Sequence, residues 1–169
     1  GAFDDPVNRN ALSLINVGYR ENLTWQDPSQ TTLEHQMYIP LSGDNPVEMG
    51  MTAQLFVQRF EAIDIYPPLF EDAFARESDP LSLANAIKAI AVFERTIVGG
   101  DSPYDRWLTG EVDALDESAQ RGMDLFFSDA LHCNRCHGGL FLDATVNEWG
   151  EQTSRHGYFN TGVYNLDGE

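Results

Sequence analysis

Cys133-Asn134-Arg135-Cys136-His137 puts two thiols and an imidazole into five consecutive positions. Thiols at i and i+3 lie on the same side of one helical turn, so both can reach one edge of a flat group. That spacing, with a His directly after it, is the pattern of c-type haem attachment. There the two sulfurs add to the porphyrin vinyl groups and the imidazole ligates the iron. A disulfide, a thioredoxin-like pair and half of a zinc site are the alternatives. A redox pair needs no following His, and a four-ligand zinc site needs a second close Cys or His pair, which His35, His132 and His156 do not make. The expectation is haem c held by Cys133 and Cys136, with His137 on the iron. Its sixth ligand is not legible: Met123 falls on the packing face of the preceding helix, and His132 directly adjoins the anchor.

These residues need helices to position them. Thr31-Thr32-Leu33-Glu34 offers a hydroxyl cap with acid in the first turn, and Pro40 is expected to stop that helix after Met37-Tyr38. The stretch from Asn8 to Val17 reads as loop followed by a short buried apolar segment, helix or strand undecided. Leu55, Phe56, Arg59 and Phe60 predict a helix from Thr52, with a break at Pro67-Pro68 and a second helix over 69–76. Asp79-Pro80 is expected to start the strongest helix, whose stripe is Leu83, Ile87, Ile90, Ala91, Glu94 and Ile97, ended by Gly99-Gly100. Ser102-Pro103 opens a short helix closed by Gly110. Asp116-Glu117 caps another, which faces the core with Ala119, Met123 and Phe126. The predicted class is mainly α with long irregular loops.

The chain has 169 residues, about one domain by length, and its net charge of −17 argues against nucleic acid and anionic membranes as partners. Its longest apolar stretch, 84–98, is broken by Lys88, Glu94 and Arg95, whereas a membrane span needs about 20 consecutive apolar residues. Haem is attached to Cys-x-x-Cys-His outside the cytoplasm, so a periplasmic protein is expected.

Several segments, in matching order, resemble the di-haem cytochrome c peroxidase and MauG superfamily. They are residues 9–17, Leu23-Thr24-Trp25-Gln26-Asp27, Leu33-Glu34-His35-Gln36, Asn45-Pro46-Val47-Glu48-Met49-Gly50, Phe93-Glu94-Arg95-Thr96, Ser102-Pro103-Tyr104-Asp105-Arg106 and the Cys133 motif. The wording over 39–50 is similar to the MbnH-like branch, which modifies a partner protein. The resemblance implies cytochrome c-like haem domains and a second haem, whose motif would lie upstream of Gly1. The chain is thus expected to be a middle piece. Residues 1–110 would be a helical region contributing the distal pocket of that first haem, and 111–169 the c-type haem-binding region.

Carried over by position, the resemblance makes Glu48 the acid/base beside bound hydrogen peroxide, Gln36 the residue that orients peroxide or water, and Pro40 a pocket wall. One carboxylate can take a proton from peroxide and return it to the leaving oxygen. An ordinary glutamate in the first turn of a helix is the alternative for Glu48, and a solvent-facing helix residue the alternative for Gln36. Trp25 matches the tryptophan between the two haems, where an indole can split one long electron transfer into two hops; core packing is its alternative. Asn10 matches a calcium ligand, with a turn-forming Asn as the alternative. Leu131 stands where MauG-like enzymes carry a surface tryptophan, and Trp107 and Trp149 are the available substitutes. Glu34, on the helix of Gln36, reads as an innocent control position.

The expected function is a peroxide-dependent haem oxidoreductase. A small cytochrome c or copper protein would supply electrons, or a tryptophan or tyrosine of a partner protein would be oxidised. A single-haem electron-transfer protein without catalysis is the competing class.

Overall fold

The computed structural model describes Ala2, Asp4 and residues 10–25 and 27–143. Helices account for the regular structure among these residues, with no strand. The mainly α expectation therefore holds. The chain divides into two compact units, Gly1–Val98 and Gly99–Glu169.

In the first unit α1 (Leu33–Gln36) and α2 (Tyr38–Ser42) form one nearly continuous helical run, interrupted at Met37. Thr32 caps it by accepting from the His35 N–H at 3.2 Å. Pro40 does not stop the run as expected but lies inside α2. It sits in the first turn, where a missing N–H would have had no partner within that helix anyway. Likewise Pro67 and Pro68 do not separate two helices but sit in the first turn of α4 (Tyr66–Ala73). α3 (Ala53–Glu61) starts at Thr52, which accepts from the Leu55 N–H.

α5 (Leu83–Glu94) starts later than expected, because Ser82 rather than Asp79 supplies the capping oxygen, to the Asn85 N–H. Asp79 and Pro80 instead give their carbonyls to the side-chain amide of Asn85, which is fully buried. The Asn85 amide oxygen in turn accepts from Lys88 at 2.9 Å, so this buried polar group is satisfied on both ends.

The core of this unit gathers Leu33, Met37, Leu41, Phe56, Leu83, Ile87 and Ala91. Leu33, Met37 and Leu41 follow one another at four residues along the α1–α2 run, as do Leu83, Ile87 and Ala91 along α5, and Phe56 comes from α3. Phe56 stacks on Phe60 at 4.2 Å and meets Phe70 of α4 edge-on at 6.1 Å. The segment before α1 is less buried than its composition suggests. Among residues 10–17 only Val17 is buried, at the start of a short 3-10 turn, while Leu14 and Ile15 are about half exposed.

The second unit contains α6 (Pro103–Leu108), a 3-10 turn at Val112–Ala114, α7 (Glu117–Phe126) and a 3-10 turn at Cys133–Arg135. Ser102 and Asp105 form a reciprocal capping box on α6. Gly110 closes that helix at φ +105°, a conformation that favours glycine. Asp116 caps α7 through the Ala119 N–H at 2.7 Å.

Candidate functional site

The haem-type motif lies in a single tight turn. Cys133 begins the 3-10 turn, and its carbonyl accepts from both the Cys136 N–H at 3.2 Å and the His137 N–H at 2.9 Å. His132 enters this turn in the left-handed region, at φ 54°. Both cysteines are free thiols, Cys133 half-buried and Cys136 exposed. His137 is exposed as well, its ring 6.5 Å from that of Phe126 on α7. Phe126 and Phe127 meet edge to face at 5.0 Å, and Tyr104 stacks near Phe127 at 6.5 Å.

Large apolar side chains near the motif in sequence are turned outward: Leu125, Phe127 and Leu131 are 41–56% exposed and Leu140 is 80% exposed. Leaving such groups in contact with water costs roughly 25 cal/mol per Å² of apolar surface. Two unpaired thiols on one turn, an adjacent imidazole and open apolar surface are the donor set and surroundings that covalent haem requires. Among the described residues no group of three or more His, Cys, Asp or Glu is arranged to hold a bare metal ion. A haem site does not need one, since the porphyrin supplies four nitrogens. Trp107 is half-buried on α6, and Trp149 lies outside the described residues.

In the first unit, the segment after α2 folds back onto the helix it has just left. Gly43 ends α2 by donating to the Ile39 carbonyl at 2.9 Å, and a Cβ there would lie only 2.5 Å from that oxygen. The chain then returns so that Met49 donates to the Pro40 carbonyl at 3.0 Å and Met51 to the Leu41 carbonyl at 2.7 Å. Gly50, between them, takes φ +59°. Glu48 is thereby held beside Pro40, half-buried, in a bend that precedes the Thr52 cap of α3. It is not a first-turn helix glutamate, so that alternative is removed. Gln36 is half-buried at the end of α1, one turn before Pro40. Pro40, having no N–H, cannot donate to the Gln36 carbonyl as an ordinary helix residue would.

Trp25 is half exposed, and its indole N–H donates to the Asn10 carbonyl at 2.6 Å. Core packing therefore does not describe it. The bond engages the backbone of Asn10 and not its side-chain amide.

One interaction escaped the sequence. Glu34 is not a bystander: both its oxygens accept from Arg95, at 2.7 and 3.0 Å, across a sequence separation of 61. The Arg95 hydrogen bond holds the Glu34 carboxyl below its ordinary value, and the same contact raises Arg95. Glu94, beside it, is pushed up by burial, with Arg95 opposing and Glu34 reinforcing. One oxygen of Glu94 is buried with no hydrogen-bond partner among the described residues. Nothing local marks such a long-range pair; the only sequence signal was that both residues fall in segments of the family resemblance.

Residues 1–113 match the model of a protein family described as di-haem cytochrome c peroxidase. The chain belongs to this family. The matched range contains Asn10, Trp25, Gln36, Pro40 and Glu48 and ends before Cys133. Methylamine utilization protein MauG of Methylorubrum extorquens is 36% identical over 146 residues, 86% of this chain and 40% of that protein. Cytochrome c551 peroxidase of Pseudomonas aeruginosa is 34% identical over 134 residues, 79% of this chain and 37% of that protein. The crystal structure of a MauG-like protein associated with microbial copper homeostasis aligns with TM-score 0.83 and 38% identity, covering all of this chain and 49% of that one. The chain thus spans about two fifths to one half of the length of these family members.

Proposed function

We propose that the chain is part of a periplasmic haem c oxidoreductase that uses hydrogen peroxide and draws its electrons from a protein. Cys133 and Cys136 anchor one haem through thioethers and His137 is its iron ligand, while residues 1–110 form the distal side of a second. Haem supplies an iron that binds peroxide and holds oxidising equivalents.

The chain's own residues manage protons and geometry. Glu48 takes a proton from the bound peroxide and returns it to the leaving oxygen, Gln36 orients the peroxide, and Pro40 closes the wall. Trp25 relays electrons between the two haems, and Asn10 belongs to a calcium site beside them. The oxidised partner is a small cytochrome c or copper protein, or a tryptophan or tyrosine side chain of a substrate protein. The wording of residues 39–50 favours the MbnH-like branch and hence the second kind of partner.

The observation that carries this reading is the pairing of Met49 with the Pro40 carbonyl, which brings the Glu48 segment onto the helical run that bears Gln36. It is tested in the haem-loaded full-length protein by Glu48→Gln, which keeps size and an acceptor but cannot transfer the proton. Reaction with peroxide should slow about 100-fold or more at unchanged haem content, the scale of losing a general acid/base. Glu71→Gln, on an exposed part of α4, is the control in place of Glu34→Gln. A parental rate in Glu48→Gln would remove Glu48 from the reaction.

The second reading is an electron carrier with one haem, for which Cys133, Cys136 and His137 hold the anchoring and ligating groups. That protein would be reduced and reoxidised by partner proteins without consuming peroxide.

A further inference from the structure

We infer that Arg95 is a positioning residue for Gln36, setting the rotation of α1 through its two-pronged grip on Glu34. The inference rests on the reading of Gln36 as the amide that orients peroxide.

The run of α1 and α2 is only ten residues long, from Leu33 to Ser42, too few to be stable by itself, so its orientation must come from what it touches. Leu33 and Met37 face the core, both 5% exposed or less. With about 100° per residue, Glu34 and Gln36 project roughly 80° to either side of that buried stripe. A buried stripe alone lets so short a helical run roll about its axis. A contact on the Glu34 flank stops the roll and so fixes where the opposite flank, with Gln36, points.

Arg95 is built to supply that contact. Its fork meets both carboxylate oxygens, an arrangement that fixes angle as well as distance. Its stem passes close to the Gly18 backbone, where an added Cβ would lie 3.2 Å from the Arg95 Cγ. The Asn16 N–H donates to the Ile97 carbonyl at 2.9 Å, tying the same segment to the chain just after α5. Pro40 leaves α1 short of the hydrogen bond that would otherwise tie Gln36 to the following turn.

The test uses the haem-loaded full-length protein with Arg95→Met, Glu34→Gln and the charge swap Glu34→Arg/Arg95→Glu. Amide exchange over residues 33–42 should rise about fivefold in each single variant, the scale of a partly exposed ion pair, while α4 is unchanged. Turnover of peroxide should fall on the order of 10-fold, the kind of loss that misplacing an orienting group produces, with the KM for the electron donor unmoved. The swap should restore both. Should Arg95→Met fail to fold, Arg95→Lys, which keeps the charge and loses the fork, is read the same way. Unchanged exchange in α1, or loosened α1 with undiminished turnover, overturns the inference. A parental rate in Glu48→Gln would instead overturn the reading of the pocket, whatever the exchange rates.

Discussion

The indole N–H of Trp25 points at the backbone carbonyl of Asn10, 2.6 Å away, and so joins two residues that the sequence assigns to separate tasks. A carbonyl can accept this hydrogen bond but is far too weak a base to take the proton. The contact therefore orients the ring and leaves its N–H intact. It also leaves the Asn10 side-chain amide oxygen, the atom suited to a hard cation, outside the bond.

Replacing Trp25 by Phe keeps an aromatic ring and removes the donor. The loss should cost roughly 0.5–1.5 kcal/mol, the usual net worth of one hydrogen bond, seen as a lower urea midpoint. Haem content should be unchanged, and electron exchange between the two haems of the full-length protein should slow. Unaltered electron exchange would take Trp25 off the route.

Covalent attachment predicts a mass. Protein matured with haem should exceed its sequence mass by one haem for the Cys133–Cys136 motif, and that haem should stay with the chain in acid acetone. Cys133→Ala and Cys136→Ala should each leave one thioether, and the double variant none. Extraction of haem from the unaltered protein would exclude the thioethers.

The carboxylates near Arg95 predict opposite pH effects on stability. Glu34 titrates below its ordinary 4.5, so its contribution is present above that value and is lost as pH falls through the lower folded one. Glu94 titrates above 4.5, so its contribution is present below that value and is lost as pH rises through the higher folded one. Urea midpoints measured between about pH 3 and pH 7 should show less acid loss in Glu34→Gln and less loss on the rising side in Glu94→Gln. A curve in Glu94→Gln that matches the parent would mean that its burial has no thermodynamic weight.

A net charge of −17 should speed encounter with a basic electron donor. The effect should fade with added salt, because screening reaches about 10 Å at 0.1 M. Equal association rates at low and high salt would assign the acidity to solubility alone.

What was legible in the sequence was local. Thr32, Thr52, Ser102 and Asp116 cap helices where hydroxyls and carboxylates precede apolar periodicity, and the Cys133 turn follows from its own spacing. Proline misled twice, at Pro40 and at Pro67-Pro68, because its effect depends on whether it falls in a first turn or an interior. The start of α5 was misplaced because a second capping residue, Ser82, stands three positions after Asp79 and supplies the oxygen to the Asn85 N–H. The Glu34–Arg95 pair could not be read at all, since at a separation of 61 residues no periodicity links its partners.

The return of the chain from Gly43 to Met51 bears on how sequence spacing should be measured in relatives. Its start is stitched to Ile39 and its end to Pro40 and Leu41 by backbone bonds that ask nothing of the side chains between. Residues added or removed around Asp44 and Asn45 would enlarge or shrink the bulge without shifting the stitched ends. The number of positions from Gln36 to Glu48 is therefore a poor ruler for the gap between them, and two proteins can differ in that count while holding the same backbone segment against the same helix.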